Sequence, residues 1–421
     1  MFGRAQKAQA LASASAPPPA QLQAASPAVH NGVAWNAPAA APKISLVQQQ
    51  GATPSNPFGG SNPYIDFQLP RTVGKMTDCD AEFTLTFTTA DPSGCDVVVA
   101  PSSFFVQKVD VLYNGNSVEP VDADVIHQEA ILWRDSDSLA ANASRWNILS
   151  TGALAPSFNV TPSAPVTSTW YLPLGRGNFL SGLQPYLKGF EGVWTFRLYF
   201  ASSIVVSCYT TGTKTASACS VALPKIQLYV TEAVLSAAAE ASLAQSHQSA
   251  TLYKTIVRTK VTGQSFASMS NAGASQVQLA GFSENESAAL ITYLQSNNPT
   301  IPQMMAHNEI AVWQLKDERG NEITIPLPEA VYLKSASLQV PQNLAVIANP
   351  TYNVLHSFSS NVNSVLETGK YAAHRKLTGR ETVFIQPAAA LSNVTPIFVS
   401  YDYAVLSVAG GKPSLQRKAT A

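Results

Sequence analysis

An all-β chain of two tandem sandwiches is predicted by three observations. Short strand-like runs recur from Tyr64 to Val408, helical patterns are few, and the second half repeats the strand, turn and return-strand order of the first. The length of 421 residues exceeds one ordinary sandwich and suits two domains of roughly 150–200 residues each. Hydrophobic residues make up 46%, enough for two cores, while charged residues reach only 12%, about half the roughly 25% usual in soluble domains. Surface cover therefore falls to Ser, Thr, Asn, Gln and backbone, which suits a β protein that buries much of its outside against copies of itself. The 26 basic and 26 acidic residues cancel, so no overall field steers the chain towards nucleic acid. A net charge near zero also lowers the electrostatic barrier to self-association.

Residues 1–60 read as a flexible N-terminal arm. They are dominated by Ala, Pro, Gln, Ser and Asn, show no period of a strand or helix, and carry Arg4, Lys7 and Lys43 with no acidic residue before Asp66. Such a segment buries too little apolar surface to offset its own ordering entropy. Its three cations are too few for a nucleic-acid-packaging arm, which carries a dense basic run. The start has no compact apolar stretch and is a poor secretory signal. Its Ala-rich, acid-free character is that of a weak transit peptide, but the prolines at 17–19 break any helix early. No apolar run reaches the ~18 residues of a membrane-spanning helix.

The first sandwich is expected over 61–235. In "EFTLTFTTA" Phe83, Leu85 and Phe87 alternate with threonines, the signature of a half-buried strand. "SSFFVQKVDVLYNGNSVEPV" places Phe105, Val109, Val111 and Tyr113 in strand-like sequence ahead of Asn114-Gly115, a pair that accepts the positive φ of a tight hairpin. "VIHQEAILWR", at 125–134, reads as a short helix, and "TSTWYLPL", "VWTFRLYFASSIVVSCY" and "KIQLYVTEAVL" supply further strands. A helical linker is expected over 236–249, where "SAAAEASLAQSHQ" is Ala-rich without Gly or Pro. Strand texture resumes over 250–410, the second sandwich, in "YKTIVRTKV", "SQVQLAGF", "AALITYL", "IAVWQL", "EITIPLP", "TVFIQPA" and "PIFVSYDYAVLSV". Residues 411–421 are expected to be a tail. Short β-runs joined by loops point to Greek-key connections.

The internal repeat has two anchors. "VDVLYNGNSVEPV" corresponds to "AVWQLKDERGNEITIPL", each a strand with an aromatic, a Gly-Asn turn (Gly115-Asn116, Gly320-Asn321) and a return strand. The halves also close alike, at Ala233-Val234-Leu235 and Ala404-Val405-Leu406.

No catalytic, cofactor-binding or metal-ligating residue is expected. The sequence has no nucleophile elbow, phosphate-binding loop, zinc-protease motif or EF-hand. Gly175 and Gly177 in "LGRGNFL" lack a third glycine and a following helix, so they read as a loop. Asp122, Asp124, His127 and Glu129 form the densest constellation. Carboxylates two apart beside an imidazole are suited to a divalent cation; the competing reading is a helix cap at Asp122 or Asp124, with His127 and Glu129 making polar contacts at a subunit boundary. His30, His127, His247, His307, His356 and His374 show no ligand spacing. Lys316, Asp317, Glu318 and Arg319 read as an exposed hairpin tip, and Glu284 with Glu286 as surface carboxylates instead of a glycosidase pair. The glycosylation-type triplets at Asn142, Asn159, Asn285 and Asn393 are expected by chance in so Asn- and Ser-rich a chain. Trp133, Trp170, Trp194 and Trp313 read as core, with a sugar-binding face as the alternative. Cys79, Cys95, Cys208 and Cys219 match no zinc pattern and read as buried free thiols, with a disulfide in the first half left open among three pairings.

"FFVQKVDVLYNGNSVEPVDADVIHQEAILW" and its partner "IAVWQLKDERGNEITIPLP" resemble major capsid proteins of the double jelly-roll lineage. That lineage includes tailless icosahedral phages with an internal membrane and several groups of eukaryotic DNA viruses. The resemblance covers roughly residues 64–408 in organisation, and "WYLPLGRGNFLSGLQPYL" is loosely similar to an apolar segment of the large-virus members. It implies two eight-stranded jelly rolls standing upright on a shell. A homotrimer of such chains would form a pseudo-hexagonal capsomer that packs against neighbouring trimers in an icosahedral virion. The arm would face inwards or clasp a neighbour. Penton or minor capsid proteins and an internal membrane would be further partners; no cofactor and no sequence-specific nucleic acid is implied. A carbohydrate-binding or adhesive β-sandwich is the alternative.

Overall fold

The computed structural model describes residues 43–60, 63–132, 142–147, 157–174, 186–249, 251–297, 310–324, 327–328, 353–358 and 375–416. Arg4, Lys7, the prolines at 17–19, His30, Trp133, Gly175, Gly177, His307, His374 and the side chain of His247 lie outside the described residues.

The first half runs β1 (Lys43–Val47), β2 (Tyr64–Gln68), β3 (Lys75–Thr89), β4 (Cys95–Val99), β5 (Val106–Tyr113) and β6 (Asn116–Asp122). Helix α1 (Ala123–Leu132) follows, then β7 (Phe158–Val160), β8 (Val166–Pro173), β9 (Trp194–Phe200), β10 (Val205–Thr210) and β11 (Cys219–Ala233). One sheet has the order β1-β11-β3-β8, the facing sheet β2-β9-β5-β6, and a smaller one β10-β4-β7. The alternation in β3 does what its pattern predicts: Phe83, Leu85 and Phe87 are buried, while Thr84 and Thr86 face out. Those two threonines meet Thr169 and Thr167 of β8 at 3.3 and 3.0 Å, a hydroxyl ladder across the outer face. Inside, aromatic rings bridge the sheets: Phe83 packs edge-on against Phe105 and Phe200, and Trp170 against Phe87 and Phe105. Asn114 (φ 49°) and Gly115 (φ 82°) both take the left-handed conformation, so the β5–β6 hairpin closes as their chemistry predicts.

Two expectations need correction. The last part of the predicted arm is not flexible, because β1 pairs along its length with β11, Lys43 opposite Glu232. The predicted tail likewise holds a strand, β22 (Lys412–Gln416), paired to the end of the second half. Both were hidden for the same reason. A five-residue strand on a sheet edge is stabilised by the neighbour's backbone hydrogen bonds, and needs little amphipathic pattern of its own.

Helix α2 (Ala237–Ser249) links the halves. The second half runs β12 (Thr251–Thr262), β13 (Phe266–Met269), β14 (Ser275–Gln278), β15 (Asn285–Ser296), β16 (Ile310–Lys316) and β17 (Leu327–Pro328). After these come β18 (Asn353–Ser357), β19 (Arg375–Leu377), β20 (Thr382–Pro387), β21 (Leu391–Ala409) and β22. One sheet has the path β12-β21-β15-β18, with β13 and β22 also on β21 and β19 on β15; the facing sheet is β14-β20-β16-β17. The charged turn between β16 and β17 is built by Asp317, whose carboxylate accepts the backbone N–H groups of Arg319 and Asn321, with Gly320 at φ 82°. Of the strand expected in "EITIPLP", only the Lys316–Glu322 bridge and β17 itself are formed among the described residues.

The large sheet of the second half is buried on both faces. In β15, Leu290 and Leu294 point into that half's own core beside Trp313 and Ile385, while Ala289, Ile291 and Tyr293 join the core of the first half. In β21, Val394 and Phe398 face inwards, and Ile397, Val399, Tyr401 and Tyr403 face the first half. The alternation is preserved, but both alternating sets are apolar. The two sandwiches therefore share one continuous apolar cluster at their junction.

Candidate functional site at the junction of the halves

The acidic constellation singled out in the sequence lies where β6 and α1 of the first half meet β12 of the second. Strand β6 delivers Glu119 and Asp122, and the helix that follows at once presents Asp124 in its first turn and Glu129 one to two turns later. Facing them, β12 carries Arg258 and Lys260 two residues apart, hence on one side of the strand.

Each cation is matched to carboxylates. The Arg258 guanidinium donates from Nε to Glu129 Oε1 at 2.6 Å and from Nη2 to Glu129 Oε2 at 3.1 Å, a two-pronged contact. Glu119 Oε1 accepts the Arg258 backbone N–H at 3.0 Å and lies 3.7 Å from Nη1. Lys260 Nζ donates to Asp122 Oδ2 at 2.9 Å and to Asp124 Oδ2 at 2.8 Å. Tyr293 of β15 adds its hydroxyl to Asp124 Oδ2 at 2.5 Å.

Burial makes a cationic partner obligatory for Glu119, Glu129 and Asp124, whereas Asp122 is 44% exposed. Glu119, Glu129 and Asp124 are all less than 5% exposed. Burial by itself would lower the pKa of Arg258; the charges of Glu129 and Glu119 outweigh it and raise the value. Lys260 follows the same logic, with desolvation overcome by Asp124 and Asp122. Burial first, and the Asp124 charge second, push the Tyr293 hydroxyl well above its usual range, so it stays a proton donor.

The site's chemistry is cohesion. Asp122 and Asp124 turn to the Lys260 ammonium, which stands where a divalent cation would have stood. Among the described residues no group of three or more His, Cys, Asp or Glu is arranged to hold a metal. His127 Nδ1 lies 2.9 Å from Ser103 Oγ and its ring packs on Phe104. The capping reading holds only locally, since Asp124 Oδ1 accepts the N–H of its neighbour Val125. The expectation of contacts at a subunit boundary needs correction: Glu129 meets Arg258 between the two halves of one chain, and His127 meets Ser103 within the first half. Beside the Lys260 cluster lies an open cleft of about 400 Å³, lined among others by Phe104, Gln107, Ser203 and Gln295.

A second contact ties the halves elsewhere. The Gly411 carbonyl, in the β21–β22 turn, accepts the Glu191 backbone N–H at 2.9 Å and the Tyr113 hydroxyl at 3.1 Å. Tyr113 Oη in turn accepts the Gly192 N–H at 2.6 Å. Glu119, Arg258, Lys260 and Tyr293 were missed in the sequence. The signal was two cations of period two in the strand-like "TIVRTKV", matching Asp122 and Asp124, also two apart.

The remaining candidates fall elsewhere. Trp170, Trp194 and Trp313 are buried in the cores. Asn285 is buried, with its side-chain amide bonded to Asp402, and Glu284 is an exposed carboxylate 3.6 Å from Lys376.

No protein-family model and no curated protein sequence matches the chain. Solved structures do match. The VP54 of PBCV-1, from a crystal structure fitted into a reconstruction of the virophage Sputnik, is similar with a TM-score of 0.66 at 13% identity, over 90% of this chain and 97% of that one. The 3.5 Å structure of the Sputnik virophage gives a TM-score of 0.56 at 11% identity, over 90% and 89%. The Faustovirus major capsid protein gives 0.55 at 10% identity, over 87% and 90%. At these identities the likeness is one of fold: the same pair of sandwiches, in the same order, along nearly the whole of each chain.

Proposed function

We propose that the chain is the major capsid protein of an icosahedral DNA virus or phage, located in the virion shell, where it self-assembles as pseudo-hexagonal homotrimers. The observation that carries this reading is the two-sandwich fold, shared over 90% of the chain with VP54 of PBCV-1 and closely in extent with the Faustovirus major capsid protein. The reading takes 61–235 and 250–410 as the two jelly rolls, joined by the linker 236–249. It assigns no enzymatic activity, no cofactor and no metal. Penton or minor capsid proteins and an internal membrane are its further partners.

The junction supports the reading physically. A chain that is to act as two of six similar units in a trimer must hold its halves at a fixed angle. The buried Arg258 and Lys260 contacts, the Gly411 contact and the shared apolar cluster fix that angle within one chain. Among the described residues the sugar-binding alternative has no Trp platform, since Trp170, Trp194 and Trp313 are core residues, and the exposed Tyr64 ring already carries the Arg197 guanidinium over its face.

The test is the oligomer formed by the purified full chain, by mass measurement and negative-stain imaging. A trimer with hexagonal outline is expected. A chain that remains monomeric under every assembly condition overturns the proposal.

A further inference from the structure

We propose that Cys95, Cys208 and Cys219 form a thiol modification site, in which Cys95 is joined by a disulfide to one of the other two when the protein meets a small-molecule disulfide such as oxidised glutathione. The three are far apart in sequence and are brought together by the strand order of the first half. Cys95 opens β4, Cys219 opens β11, and Cys208 lies in β10, which pairs with β4. In that pairing Cys208 stands opposite Val97 and Thr210 opposite Cys95, so the two cysteines are diagonal neighbours on one face. Cys219 stands opposite Thr89 at the end of β3, and the turn after Thr89 leads directly back to Cys95.

Asp91 holds this corner together. It lies in that turn, and its Oδ2 accepts hydrogen bonds from Thr210 at 2.7 Å and Ser217 at 2.8 Å, fastening the β10–β11 loop onto it. The Cys95 side chain is fully buried, and Cys208 and Cys219, partly exposed, pack against the same core. All three are free thiols in this structure. Burial first, then the contact with the Cys95 thiol, push Cys208 up to about 12; burial and Cys95 likewise push Cys219 up to about 11. Cys79, buried on β3 opposite Val230, is not part of the group.

The chemistry balances as thiol–disulfide exchange. A part-exposed thiolate, Cys208 or Cys219, attacks one sulfur of glutathione disulfide, and one glutathione thiolate leaves. The Cys95 thiolate then attacks the protein sulfur of the mixed disulfide, releasing the second glutathione. Two protein thiols are oxidised, one glutathione disulfide is reduced to two thiols, and the two protons pass to them. The third cysteine stays reduced. Because the attacking thiols sit far above neutral pH, their thiolate fraction should rise roughly tenfold per pH unit between 7 and 9. An exposed cysteine would level off near pH 8.5.

The experiment incubates the folded full chain with oxidised glutathione, blocks remaining thiols, and maps linked peptides by mass spectrometry. A Cys95–Cys208 or Cys95–Cys219 link is expected, with Cys79 unlinked. The rate should rise roughly tenfold from pH 7 to 8. Closing a loop of roughly 110 residues should raise Tm by roughly 5 °C. Cys208→Ala and Cys219→Ala should each retain a link through Cys95, and Cys95→Ala should lose it. If Cys95→Ala does not fold, mapping of the unsubstituted chain decides alone. A link through Cys79, or four unlinked thiols after prolonged incubation at pH 9, overturns the proposal. Neither result depends on whether the chain assembles a shell.

Discussion

Arg258 serves two carboxylates, Glu129 in a two-pronged contact and Glu119 beside it; both carboxylates are buried and the arginine side chain is 9% exposed. Taking the guanidinium away leaves two buried negative charges without the cation between them, so Arg258→Met should cost about 3–5 kcal/mol of stability. Glu129→Ala should cost less, because Glu119 still balances the arginine. Urea unfolding of both variants checks the order, and a cost for Arg258→Met no larger than that of a surface change would refute the account. His356 works in the opposite sense. It packs between Trp313 and Phe358, and burial, with the Arg375 charge, lowers its pKa to about 4. The unfolded chain takes up the proton near pH 6.5 and the folded chain resists it until about 4, so stability falls as pH drops through that window. The loss is about 3 kcal/mol in total. His356→Phe should flatten this part of the pH profile when unfolding midpoints at pH 7 and pH 4 are compared with those of the unsubstituted chain.

At the scale of elements, β21 and the hairpin it forms with β22 contribute to the junction alongside β12 and β15. The run "PIFVSYDYAVLSV" reads correctly as a strand, yet its near-continuous apolar character is the mark of a strand covered on both faces. Sequence alternation sorted Phe398 from Val399 but could not say that the second face meets another sandwich. The hairpin turn is equally specific. Gly411 has φ 71°, and a Cβ there would fall 2.3 Å from Glu191 Cγ and 2.9 Å from Glu191 N. Gly411→Ala should therefore disturb the contact of its carbonyl with Glu191 and Tyr113 and lower Tm by several degrees. Faster amide exchange at Glu191 would locate the effect there; unchanged Tm and unchanged exchange would show that the hairpin is not a latch. The thiol corner belongs to this scale too, since three strand ends create it and no single segment announces it.

For the whole molecule, net charge near zero and a charged content of 12% mean that covering its surface would desolvate few ions. Strand β1 sits at a sheet edge with Ile44 67% and Leu46 44% exposed. An edge of this kind favours association, and the trimer test of the proposed function measures whether it occurs. The Arg258 and Lys260 ion pairs join the two halves, while pairs such as Lys376–Glu284 and Arg380–Glu318 lie exposed within one half.

The all-β class, the two-part organisation, the Asn114-Gly115 hairpin and the aromatic cores were legible because each is local. Alternation places Phe83, Leu85 and Phe87 on one face, and left-handed backbone at a turn selects Asn and Gly. Edge strands β1 and β22 were not legible, since their stability comes from a neighbour's backbone. Nor was the meeting of Asp124 with Lys260 and Tyr293, or of Cys95 with Cys208 and Cys219. Periodicity states which residues share a face; what covers that face is fixed only when segments more than a hundred residues apart close on one another, and that closure belongs to the tertiary structure.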